Sequence, residues 1–204
     1  MTTGKATKQD YLAGFRYGTQ NAQAHLEAAK HLTEINYGIA SAHLVLAIEE
    51  GIKAYAIFDK YKGGHLYKKN FDLFFKNHKF KHESIWQFEE IFDVLFNFGE
   101  RLFKHFAEYS KKYLKGAELP EHRRKEVEEC IQLCKDMKEE NIKLRAWCKG
   151  ADALKIAGFY LDIVDSGKDW LRPNRITKEQ YEESLDIVEK WLERLPGIEK
   201  IESA

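Results

Sequence analysis

Apolar residues recur along most of the chain at intervals of three and four, the period of an amphipathic helix. From Gln9 to about Asn36 they are Tyr11, Leu12, Phe15, Ala22, Leu26, Ala29, Leu32 and Ile35, and Asn36-Tyr37-Gly38 supplies a turn. A second helix is expected from Tyr37 to about Tyr61, with Tyr37, Ala40, Leu44, Ile48, Gly51, Tyr55 and Phe58 along one face. Small residues on this helix (Ala40, Ala47, Gly51, Ala54) let another backbone approach closely. So short a turn makes the two helices neighbours, an antiparallel hairpin.

Beyond it, the paired glycines of KGGHLYKKN mark a loop, and a short helix follows from about Phe71 to Asn77. Glu83 or Ser84 opens a long helix to about Leu114, its core face carried by Ile85, Phe88, Phe92, Leu95, Leu102, Phe106 and Tyr109. Gly116 and Pro120 end it. The helix from about Glu121 to Trp147 is more charged and has a thinner stripe: Val127, Ile131, Cys134, Met137 and Ile142. Lys149 to Asn174 reads as an irregular connector holding a short helix or extended piece. A final helix opens at Thr177, where Thr177 and Gln180 supply a capping box, and stops before Pro196-Gly197. The pattern predicts an all-α fold, one domain over residues 1–204, built on a long helical hairpin with additional C-terminal helices.

Length and charge narrow the picture further. A chain of 204 residues is ample for a core. Its 33 basic and 33 acidic residues cancel, which argues against a general polyanion binder. One local stretch departs from that balance. Lys60 to His82, KYKGGHLYKKNFDLFFKNHKFKH, mixes lysines and histidines with aromatic rings. It is either a solvated loop leading into an amphipathic helix or a surface for single-stranded nucleic acid. Three cysteines without a CxxC pair fit a reduced chain. With no signal-like N-terminus and no bilayer-length apolar run, a cytoplasmic protein without a membrane partner is expected.

The candidate chemistry begins in LAIEEGIKAYAIF, residues 46–58. Glu49 and Lys53 are spaced i,i+4, Glu50 and Lys53 i,i+3, and His43 precedes Glu50 by two turns. These charges interrupt a segment otherwise suited to burial. They form either an ordinary surface ion pair or a polar site brought into the interior. His78 and His82 in NHKFKH have the spacing of a metal-binding pair, but no fuller ligand set accompanies them, so no metal and no cofactor are expected. A histidine beside a carboxylate and a lysine can instead handle protons in phosphodiester cleavage. Arg101 and His105 fall on a solvated stripe with Glu90, Asn97, Lys104, Glu108 and Lys111, and read as exposed surface.

Three stretches together resemble the AbiV family of bacterial abortive-infection proteins, a branch of the HEPN superfamily of helical domains. AHLEAAKHLTEINYGIASAHLVLAIEEGIKAYAIF looks like the family's hairpin, whose second helix carries a glutamate pair followed by lysine: Glu49, Glu50 and Lys53. NHKFKH is similar to a family H-x-x-K segment, here His78 and Lys81. KIAGFYLDIVDSGKDWLRPNRIT resembles a late motif carried by Lys155, Gly158, Phe159, Tyr160, Asp162, Trp170 and Pro173.

The resemblance implies a HEPN-like bundle, a homodimer and a role in defence against bacteriophage. It offers Glu49, Glu50, Lys53, His78 and Lys81 as catalytic candidates, and Lys155, Tyr160, Asp162 and Trp170 as binding ones. Many HEPN proteins are metal-independent ribonucleases with an Arg-x4–6-His motif, and this chain departs from it: Arg101 and His105 enclose only three residues, and no other arginine has a histidine at that distance. Two functions therefore stand side by side. One is an effector acting on RNA or the translation apparatus; the other is a non-enzymatic module recognising a phage or host protein. Sequence-specific DNA binding is not expected. A ferritin-like metal protein would want Glu-x-x-His, whereas Glu50 is followed three residues on by Lys53.

Overall fold

A computed structural model describes residues 6–64, 71–77, 80–81, 84, 108, 121–159, 162–164, 169–171 and 175–195. Helix α1 spans Lys8–Leu32. Thr7 opens it through a reciprocal cap: the Asp10 carboxylate accepts from the Thr7 N–H at 2.7 Å, and the Thr7 hydroxyl accepts from the Asp10 N–H at 3.2 Å. Two N–H groups that a helix start leaves unpaired are thereby satisfied. After a short turn Asn36 opens α2, Tyr37–Tyr61, its Oδ1 accepting from Gly38 and Ile39 at 2.8 and 3.1 Å. α1 stops short of the reach expected for it, and Ile35, assigned to its core face, is exposed in the turn.

Helix α3 is short, Leu73–Lys76. α4 runs Glu121–Phe159, twelve residues past the end expected at Trp147 (159 − 147). Gly150 and Gly158 of the expected connector lie inside it, and Gly158 serves close packing rather than a turn. An antiparallel ribbon follows, β1 Asp162–Val164 and β2 Asp169–Leu171, with Ile163 opposite Trp170. α5, Lys178–Glu193, begins at the expected capping box, Thr177 and Gln180 each bonding the other's backbone. The fold is all-α, as expected, with this small ribbon added. The helix expected between Glu83 and Leu114 lies outside the described residues, save Ser84 and Glu108, which are helical.

The chain forms two compact units, Met1–Glu83 with Trp147–Ala204, and Ser84–Ala146. In the first, α1 and α2 pack as the antiparallel hairpin and α5 lies on α2. Phe15, Ala54 and Ile57 make a core at the open end of the hairpin, bordered by Tyr11, Leu12, Phe58, Tyr61 and Phe71. Two glycines set helix separations. A Cβ on Gly51 would stand 2.6 Å from Cζ3 of Trp191, and one on Gly158 would stand 2.6 Å from the Ala42 Cβ and closer still to the Gly38 carbonyl oxygen. Within α5 the Ser184 hydroxyl donates to the Gln180 carbonyl and accepts from the Trp147 indole at 2.9 Å.

In the second unit the described part of α4 carries a seam spaced three and four: Val127, Cys130, Cys134, Met137, Asn141 and Leu144. These are half-buried or buried, and the spacing is that of a helix side packed along its length. Ile142, expected on the apolar stripe, is 57% exposed, while its neighbour Asn141 is 1% exposed.

Candidate functional site

α2 is buried almost all round. Between Gly38 and Ala54 the residues that are not buried are Ile39, His43, Leu46, Glu50 and Lys53, spaced four, three, four and three. The two adjacent carboxylates therefore have different surroundings. Glu49 points inward, 1% exposed, and Glu50 sits on the half-exposed stripe.

Inside, Glu49 Oε1 accepts from Lys155 Nζ at 2.5 Å and Oε2 accepts from Lys81 Nζ at 3.1 Å. Each lysine is delivered by a separate local device. Asn77, in extended backbone, caps the turn that carries Lys81: its Oδ1 accepts from the Phe80 N–H at 3.0 Å and its carbonyl from the Lys81 N–H at 3.3 Å. Phe80 packs edge-on against the fully buried Phe74. Lys155 lies on α4 one turn before Gly158, whose contact with Gly38 and Ala42 presses α4 against α2. Burial holds the Lys81 ammonium below its ordinary range, and the facing Glu49 carboxylate partly opposes that shift.

On the rim, the Lys53 ammonium pairs with the Glu50 carboxylate, each side chain 20% exposed. Beside them stands an imidazole pair. His25 on α1 and His43 on α2 place their Nδ1 atoms 3.2 Å apart. His43 also meets the edge of Phe159, ring centroids 5.5 Å apart. Burial lowers the His25 imidazole below the usual histidine value; Glu50 and Glu49 pull it upward and Lys53 downward. Burial lowers His43 as well, and the nearby His25 adds to the effect. At neutral pH both rings are mainly uncharged, the state in which an imidazole can accept a proton.

The family model for AbiV, of the HEPN group, matches residues 10–193. The chain belongs to the AbiV family. Neither a curated protein nor a solved structure matches it. AbiV membership connects the chain with abortive infection, a defence against bacteriophage.

Of the positions singled out by the AbiV resemblance, Glu49, Glu50, Lys53, Lys81 and Lys155 are gathered around the middle of α2. His78 and Tyr160 lie outside the described residues, as do His82, Arg101 and His105. Asp162 and Trp170 fall in β1 and β2. His25 was not among the candidates, because its place beside His43 depends on how the hairpin closes. The turn at Thr33–Asn36 could have disclosed it: folding there brings positions 25 and 43 level. Among the described residues, no group of three or more His, Cys, Asp and Glu side chains is disposed to hold a metal ion, and no helix is long and apolar enough to cross a membrane.

The described part of the basic-aromatic stretch adds a second feature, at the open end of the hairpin. Lys60 Nζ lies 5.4 Å from the Phe71 ring centroid, Lys62 Nζ 5.6 Å from that of Phe58, and Lys8 Nζ 5.8 Å from that of Tyr61. Phe75 meets the edge of Phe71 and is 46% exposed. Such contacts let ammonium groups and aromatic faces share one surface.

Proposed function

We propose that this AbiV protein restricts phage by acting on RNA at the solvent-reaching stripe of α2. One observation carries the reading: α2 keeps Glu49 inside with two lysines but leaves Glu50, Lys53 and His43 at the surface, beside His25. The buried group is a polar pin, and the groups at the rim are those a substrate can reach. A cation and near-neutral imidazoles suit a phosphodiester, whose charge needs offsetting and whose protons must be moved. The lysine–aromatic surface at the hairpin end supports RNA further, since it joins phosphate neutralisation to base stacking. The site is not built on the Arg-x4–6-His pattern.

RNA crosslinking and RNA integrity in infected cells test this reading, with wild-type protein beside Lys53→Met. Crosslinked or degraded RNA that depends on Lys53 is the expected result. Phage resistance with intact RNA and nothing crosslinked would overturn it. The alternative, recognition of a phage or host protein, draws on Ile156 and Phe159, two exposed apolar side chains one turn apart on α4. It predicts a co-purifying protein whose capture is lost when both are replaced by serine.

A further inference from the structure

Resting on that reading, we propose that His25 and His43 are catalytic residues that act as one coupled acid–base pair, cleaving RNA by attack of its own 2′-hydroxyl. The proposal starts from the 3.2 Å between their Nδ1 atoms. A hydrogen bond at that distance needs one ring to carry its proton on Nδ1 and the other to present a bare Nδ1. In two neutral imidazoles this fixes the far nitrogens as well. The donor ring has a free lone pair on Nε2, and the acceptor ring has its own proton on Nε2. The shared bond therefore makes one histidine a base and its partner an acid at the same moment.

A phosphodiester transfer uses both. The Nε2 lone pair of the first ring takes the proton of the 2′-hydroxyl as O2′ forms its bond to phosphorus. The bond from phosphorus to O5′ breaks, and the departing O5′ takes the Nε2 proton of the second ring. Meanwhile the Nδ1 proton crosses from the first ring to the second. One proton enters the pair and one leaves, so the rings end neutral with their tautomers exchanged. The products are a 2′,3′-cyclic phosphate and a 5′-hydroxyl end. No oxidant, reductant or other co-reactant is consumed.

The surroundings fit these roles. α1 supplies His25; α2 supplies His43, Glu49, Glu50 and Lys53; α4 supplies Phe159. Both rings are half-buried, open to a ligand yet partly shielded from water. Lys53, close enough to influence His25, is the cation available to the charge on the pentavalent phosphorus. Phe159 is 39% exposed against His43 and offers a flanking base a stacking face.

The test uses an end-labelled RNA oligonucleotide, the same sequence with 2′-O-methyl groups, and the purified full chain as wild type, His25→Gln and His43→Gln. Expected is cleavage of the unmodified RNA to a 2′,3′-cyclic end, none of the 2′-O-methyl strand, and a loss of about 10²–10⁴-fold in either variant, the usual range for a proton-transfer group. The wild-type rate should fall as pH drops below the ordinary histidine range, because a protonated pair has no free Nε2 base. Folded Gln variants that cleave at the wild-type rate would overturn the pair while leaving the RNA reading intact. So would RNA that crosslinks to wild-type protein without being cut. Should the variants fail to fold, a wild-type rate that stays unchanged as pH falls well below the ordinary histidine range, with the protein still folded, overturns the pair by itself. Absence of any RNA contact removes the RNA reading and this inference together.

Discussion

Glu49 and Lys155 lie 106 positions apart in the chain and meet at 2.5 Å, carboxylate oxygen to ammonium nitrogen. Lys81 takes the other oxygen of the same carboxylate. Removing the shared member takes the buried carboxylate away from both ammonium groups, so Glu49→Ala should lower stability by about 3–5 kcal/mol. Denaturant titration would show an earlier midpoint with an unchanged slope. Replacing all three together, as Glu49→Leu, Lys81→Met and Lys155→Met, should restore most of the loss, because an apolar trio needs no compensation. A triple variant no more stable than the single one would show that the cluster is tied to more than itself.

Lys53 offers the opposite expectation. Its pair with Glu50 is partly hydrated, and such pairs contribute less than about 1 kcal/mol. Lys53→Met should keep its thermal midpoint within a few degrees and yet lose phage resistance, measured as plating efficiency. Resistance at the wild-type level would remove Lys53 from the working site.

Close packing at Gly158 makes the third case. A methyl group there overlaps the Gly38 carbonyl and Ala42, so Gly158→Ala should force α4 away from α2 at a cost of about 1–3 kcal/mol. The displacement would also carry Lys155 from Glu49 and Phe159 from His43. A loss of activity larger than the loss of folded protein, compared by circular dichroism and RNA cleavage on one sample, is the expected sign.

What could be read from the sequence was mostly local. The bounds of α2 and the cap at Thr177 follow from residues within a turn of each other, and both stand as expected. The length of α4 was hidden because Gly150 and Gly158 look like breakers until a neighbouring helix gives Gly158 a use. The division between Glu49 and Glu50 was hidden for another reason. A helix apolar on every side has no periodicity to say which of two adjacent carboxylates turns inward. The motif residues on α2 and α4 could be named beforehand as a group. Nothing within α1 distinguishes His25 from a surface histidine such as His31, which is exposed and bonds the Glu27 carbonyl; its place beside His43 follows only from the closing of the hairpin at Thr33–Asn36.

The histidines also set a pH dependence of folding. Both folded-state values lie below the ordinary 6.5, so the unfolded chain binds more protons on falling through that range. Their contribution is fully present above pH 6.5 and is lost as pH falls through the lowered folded values. Stability measured by urea unfolding should thus decline from neutral toward pH 5, and His43→Leu should flatten that decline. An equal decline in the variant would place the acid sensitivity elsewhere.

α2 is held by α1 along the hairpin, by Trp191 and Leu192 of α5 against Gly51, and by Gly158 of α4 against Gly38. A helix enclosed in this way can neither slide nor turn without opening the whole unit. Its central amide hydrogens should exchange with solvent only through global unfolding, well after those at the exposed start of α4. Any rearrangement short of unfolding falls to what surrounds α2, while α2 itself stays the fixed reference.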